Sequence, residues 1–189
     1  LRTALAMGAE SAILVSDEAL AGSDALSTAK VLAAAIQRSE PDLILTATES
    51  SDGYTGTVPE QIAEILGLPS VTFGKEVMVE SGIATVKRQT EAGYDVVECP
   101  LPTLISLTAG VVEPRYPSFK GIMAAKNKPV EELDLAGLGI EPENVGWSGA
   151  RQEITEIVET PAREAGEIVV DEGEAHERIL AFLEELKVL

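Results

Sequence analysis

Short apolar runs that alternate with helical signals through the first 75 residues place the tightest limit on this fold. Residues 11–15 (SAILV), 43–47 (LILTA) and 70–73 (SVTF) read as strands, and LILTA is apolar enough for a parallel strand buried on both faces. Between the first two, Asp24 is placed to cap a helix running to Arg38, with Leu26, Ala29, Ala33 and Ile36 on one face. Pro41-Asp42 ends it. A second helix opens near Val58 with Pro59 in its first turn and closes at Gly67. Strand–helix–strand–helix–strand order predicts an α/β domain with a doubly wound, mostly parallel sheet. The core must come mainly from Ala, Val, Leu and Ile, because 45% of residues are hydrophobic but only 4% aromatic.

The pattern then changes. Residues 83–89 (IATVKRQ) and 94–98 (YDVVE) alternate polar and apolar side chains around a turn at 90–93, which predicts an antiparallel hairpin with Lys87 and Asp95 on its outer face. Residues 104–108 (LISLT) follow as another buried strand, making the sheet mixed. Residues 131–149 are rich in Gly, Pro and Asn and read as a linker. A last amphipathic helix is predicted over 174–186, with Ile179, Phe182, Leu183 and Leu186 at helical spacing. The chain thus divides into an α/β nucleotide-binding domain, 1–133, and a linker with a C-terminal arm and helix, 134–189. It opens on the tail of a helix, without the first strand such a sheet normally has. The expectation is an N-terminally truncated domain.

Charge excludes one large class of partner. Thirty-two acids against 14 Lys and Arg give a formal net charge of −18, which repels nucleic acid. Residues 131–189 hold 16 acids and four bases, a net −12 of that total. No apolar run approaches the roughly 20 residues needed to cross a bilayer, and no signal peptide is recognised at the N-terminus. With Cys99 as the lone cysteine, the expected setting is cytoplasmic. Cys99 itself reads as a packed small hydrophobe, and His176, the lone histidine, as a surface residue. No carboxylate pair, nucleophile–base pair or metal-ligand cluster is apparent, so the expectation is a binding protein, not an enzyme.

Two segments stand out. The loop 49–57 (ESSDGYTGT) lies between a strand's carboxyl end and a helix N-terminus, where open α/β sheets bind ligands. The amides of Gly56, Thr57 and Val58, with the helix dipole behind them, suit a phosphate. No Walker lysine is present, so a monophosphate nucleotide fits better than a triphosphate. An ordinary strand–helix turn fits the same spacing. The second segment, 111–130 (VVEPRYPSFKGIMAAKNKPV), carries Arg115, Lys120, Lys126 and Lys128, and has no acid from Pro114 to Val130. Apolar side chains ringed by cations on an acidic protein suggest a docking loop leading into a short helix. Solvated cations over a core-facing Ile122 and Met123 are the alternative.

The runs VKRQTEAGYDVVECPLPTLISLT and EPRYPSFKGIMAAKNKPV, with SSDGYTGTVPEQIAEILGLP and the arm AREAGEIVVDEG, closely resemble the β subunit of electron transfer flavoproteins. The resemblance implies an adenine-nucleotide alpha-hydrolase-like fold, a heterodimer with an α subunit that carries most of a redox-active FAD, and a structural AMP on this chain. It puts the AMP loop on Asp52, Gly53, Tyr54, Thr55, Gly56, Thr57 and Val58. The recognition loop falls on Tyr116, Pro117, Ser118, Phe119, Lys120, Gly121, Ile122, Met123, Ala124 and Ala125, with Phe119 at the anchor position. Implied partners are acyl-CoA and other flavin dehydrogenases as donors, as in fatty acid oxidation, and a membrane quinone oxidoreductase as acceptor. The redox chemistry then belongs to the flavin. Two alternatives are a bifurcating flavoprotein with a second FAD in place of AMP, and a nucleotide-sensing module of the universal-stress type.

Overall fold

The computed structural model describes residues 1–162, 166, 168, 170, 171 and 173–188, so half of the arm motif 162–173 lies outside the described residues. Two compact units result, Leu1–Glu153 and Ile154–Leu189. In the first, α1 (Arg2–Met7) leads to β1 (Ala12–Val15), α2 (Ala25–Gln37), β2 (Leu43–Ala47) and α3 (Val58–Leu66). Three long strands follow, β3 (Ser70–Glu80), β4 (Ile83–Thr90) and β5 (Gly93–Pro100), then β6 (Thr103–Leu107). The unit ends with α4 (Phe119–Ala125), β7 (Val130–Leu133), α5 (Leu135–Leu138) and α6 (Gly146–Gly149).

The main sheet has the order β2-β6-β3-β4-β5. β6 runs parallel to both β2 and the start of β3, and the β3-β4-β5 meander is antiparallel, so the sheet is mixed. β6 occupies the middle because it can: Thr103, Leu104, Ile105 and Ser106 are all buried. Its hydroxyls are satisfied there, Thr103 Oγ1 donating to the Pro69 carbonyl at 2.9 Å and Ser106 Oγ accepting from the Phe73 amide at 3.2 Å. β3 does not stop at Phe73, as its apolar run suggests. It continues through Lys75–Glu80, and an irregularity at Gly74 lets it leave β6 and take up β4.

α2 and α3 pack on one face of this sheet, burying Ala29, Ala33, Ile62 and Ala63 against Ile44 and Leu104. The opposite face carries Val71, Val86, Cys99 and Ile105, a cluster made by strand side chains. Doubly wound layering with helices on both faces is therefore not what the described elements form around this sheet. β1 pairs in parallel with β7 as a separate two-stranded sheet. The predicted face of α2 is also revised, since Leu26 is exposed while Val31 is buried. Val31 faces a third cluster with Leu135 and Val145, so α2 is covered on two sides.

That cluster corrects the reading of 131–149 as a linker. Val145 is fully buried, Asp134 caps α5 through the Gly137 amide at 2.7 Å, and Gly139 closes it in the left-handed region. Turn-forming residues here are helix caps. Asp24 ties the same region down: one carboxylate oxygen caps α2 through the Ser27 amide at 2.8 Å, and the other accepts from the Arg151 amide at 2.6 Å.

In the second unit, residues 154–162 form no regular secondary structure, and α7 (Ala175–Glu185) follows. Ile154, Ile157 and Val158 are exposed, as are Ile179 and Phe182 of α7, and Leu186 just beyond it. His176 is on the surface. No described helix is long and apolar enough to cross a membrane.

Candidate functional site

The loop 49–57 leaves the carboxyl end of β2 and delivers the chain to the N-terminus of α3. Its tip folds on itself. The Gly53 amide donates to Asp52 Oδ1 at 2.9 Å and to Ser50 Oγ at 3.3 Å, and the Tyr54 amide to the Ser50 carbonyl at 3.1 Å. Hydrogen bonding from the Ser50 hydroxyl, joined by the Asp52 and Gly53 amides, holds the exposed Asp52 carboxyl below its ordinary pKa. Tyr54 and Gly56 both have positive φ, 48° and 63°. Glycine takes that conformation freely; tyrosine does so at a cost.

The helix start is the part suited to a ligand. Thr57 is the N-cap of α3 but makes no side-chain cap bond, and its hydroxyl accepts from Gln61 Nε2 at 3.3 Å. The first-turn amides are thus left without the usual side-chain acceptor, with the helix dipole behind them. Beside them Glu60 Oε2 and Gln61 Oε1 are buried without a hydrogen-bond partner. Unpartnered buried polar atoms beside an uncapped helix start are what a polar ligand would resolve. The neighbouring carboxylates of Asp52 and Glu49, the latter 3.6 Å from where a Gly56 Cβ would sit, are acceptors. They suit hydroxyl donors, so a phosphate here would rely on backbone amides.

Along the same strand ends lies an open cavity of about 540 Å³, bordered by Thr48, Glu49, Phe73, Leu107 and Thr108. Sequence reasoning missed Phe73 and Thr108. Phe73 stands at φ 58° where β3 changes partner, at the border of the cavity. The Phe73-Gly74 pair inside an apolar run is the signal that could have found it.

The acid-free stretch forms the second site. Residues 111–118 are irregular, and Ser118 then caps α4, accepting from the Gly121 amide at 3.0 Å. Tyr116 is 96% exposed and Phe119 82%, with Ile122 and Met123 about half exposed at 47% and 49%. Phe119, Ile122 and Met123 stand at helical spacing in α4, and Ile122 and Lys126 border an open cavity with Arg2, Thr3 and Ala6 of α1. Ala125 is buried and borders the same cavity as Ile122. Gly121 lies so close to α1 that a Cβ would collide with the Ala6 carbonyl oxygen.

Among the described residues no group of acids, His or Cys could hold a metal ion. Cys99 is buried, its thiol 3.2 Å from the Thr103 hydroxyl. On the hairpin, Lys87 stacks over the Tyr94 ring at 4.0 Å and Asp95 approaches Arg88 at 4.0 Å.

Residues 1–138 match the family model described as the electron transfer flavoprotein domain. The chain belongs to the electron transfer flavoprotein family. It is 42% identical over 190 residues to the electron transfer flavoprotein subunit beta of Mycobacterium tuberculosis, a match spanning the whole chain and 71% of that relative. The subunit beta of Megasphaera elsdenii is 36% identical over 95% of the chain and 69% of its own length. A caffeyl-CoA reductase-Etf complex subunit of Acetobacterium woodii is 37% identical over 89% of the chain and 65% of its own length. Family membership connects this chain with electron transport by a flavoprotein.

Proposed function

We propose that this chain is the docking and nucleotide-holding subunit of a heterodimeric electron carrier, which takes electrons from flavin dehydrogenases and delivers them to a membrane quinone oxidoreductase. The observation that carries the reading is the α4 surface: Tyr116, Phe119, Ile122 and Met123 exposed together amid cations, on a protein of net charge −18. Tyr116 to Ala124 form the docking surface, Phe119 is its anchor, and buried Ala125 supports it from beneath. A solvent-facing phenylalanine among lysines fits an apolar pocket with an acidic rim, which suits acyl-CoA and other flavin dehydrogenases of fatty acid oxidation.

The loop Asp52–Val58 holds AMP in a structural role. The amides of Gly56, Thr57 and Val58 take the phosphate and Asp52 accepts from a hydroxyl, with Gly53, Tyr54 and Thr55 shaping the turn. AMP supplies no redox chemistry. That belongs to FAD held mainly by the α subunit, so the electron route runs through the partner and this chain fixes where the dehydrogenase sits. The exposed apolar side chains of the arm and of α7 are the contact with the α subunit. The compartment that suits this assignment is the cytoplasm.

The test is to release and weigh the nucleotides of the co-purified heterodimer. One FAD and one AMP per heterodimer is the expected result. Two FAD and no AMP would replace it with the bifurcating form, a reading favoured by the 37% identity to a subunit of a caffeyl-CoA reductase-Etf complex. A heterodimer that binds no flavin dehydrogenase would overturn the docking assignment.

A further inference from the structure

The docking helix is too short to hold itself. α4 has seven residues, α1 has six, and isolated helices of that length are not stable in water. Neither has a basic residue in its last turn to complement its terminal carbonyls. Each takes one from the other. Arg2, at the start of α1, donates through Nη1 to the Ala125 carbonyl at 2.7 Å and to the Lys128 carbonyl at 3.2 Å, closing the end of α4. Lys128, just beyond α4, donates through Nζ to the Leu5 carbonyl at 2.9 Å and the Ala9 carbonyl at 2.6 Å, closing the end of α1. Arg115 Nη1 lies beside Gly8, the C-cap of α1. Between these contacts the helices meet through Gly121, with Leu5 and Ala125 buried.

We propose that Arg2 and Lys128 are positioning residues for docking, a reciprocal clamp that makes α1 and α4 one rigid mount for Phe119. The inference rests on the docking reading of α4. The clamp has a physical purpose: an exposed apolar anchor on a fraying helix would be ordered only on binding, and that ordering would subtract from affinity. Cations complementing helix carbonyls are charge-assisted donors, the stronger class of hydrogen bond. The same two residues also account for part of the missing acidity of this stretch, since a carboxylate near either head group would compete with the carbonyls.

The experiment uses the intact heterodimer and an acyl-CoA dehydrogenase as probe, with Lys128→Met, Lys128→Arg, Arg2→Met and Phe119→Ala. Losing the Lys128 bonds should raise amide exchange over 119–125 on the order of tenfold. It should also raise the KM for the dehydrogenase several-fold, leaving kcat and flavin content unchanged. Arg2→Met should do the same, and Lys128→Arg should restore both readouts. Phe119→Ala should raise KM without changing exchange in α4. Faster exchange with an unchanged KM in Lys128→Met would overturn the clamp, because its role would then be structural only. Unchanged exchange in both Met variants would overturn it as well. An unchanged KM in Phe119→Ala would instead remove the docking reading on which the clamp depends.

Discussion

Replacing Phe119 by alanine should weaken dehydrogenase binding without touching the fold. The ring is 82% exposed, so nearly all of it is available to a partner. An aromatic side chain removes roughly 150–250 Å² from water when covered, and at about 25 cal/mol per Å² the exposed part corresponds to about 3–5 kcal/mol. Alanine keeps its methyl group, and part of the gross term is offset by ordering the ring on binding, which leaves about 2–3 kcal/mol. That is roughly a 30- to 150-fold rise in Kd. Phe119 opens α4, where alanine is the better helix former by a few tenths of a kcal/mol, so Tm should hold or rise slightly. Phe119→Leu should lose less than about tenfold, because it stays apolar and of similar size. Titration calorimetry of the heterodimer against an acyl-CoA dehydrogenase measures all three proteins. A Kd for Phe119→Ala within about twofold of wild type refutes the anchor.

Three further outcomes follow from the same structure. Gly121→Ala should lower stability by about 1–2 kcal/mol in thermal denaturation despite alanine's helix propensity, since the new Cβ meets the Ala6 carbonyl; a gain would mean α1 is not packed on α4. Gly56→Ala, at φ 63°, should cost about 1 kcal/mol and lower the AMP content of the purified heterodimer; full occupancy would remove the loop from the nucleotide site. For Asp24, partial burial works to raise the pKa, but hydrogen bonds from the Ser27 and Arg151 amides, with the charge of Lys30, outweigh it and leave the value lowered. A lowered folded-state pKa stabilises above the unfolded value and is lost as pH falls through the folded one. The denaturant-midpoint gap between wild type and Asp24→Asn should therefore narrow as pH falls below about 5, through the unfolded carboxylate range and on through the lower folded-state value, and a constant gap would contradict the assignment.

The sequence by itself determined the elements whose signals are local. LILTA became β2 within the predicted bounds, Asp24 and Gly67 end their helices as expected, and the alternation around residues 90–93 produced the β4–β5 hairpin. The acid-free stretch was legible too, because charge composition survives folding. What only the tertiary structure decided is pairing and burial. β6 sits between β2 and β3, although it follows both in sequence, since strand order depends on which surfaces fit and not on periodicity. Residues 131–149 look like a linker until α2 offers a second apolar side for Leu135 and Val145. The Arg2–Lys128 clamp joins residues over 120 apart in the chain, and no local pattern announces it. Local rules write the helices and strands; contacts distant in sequence determine which of their faces remain open for recognition.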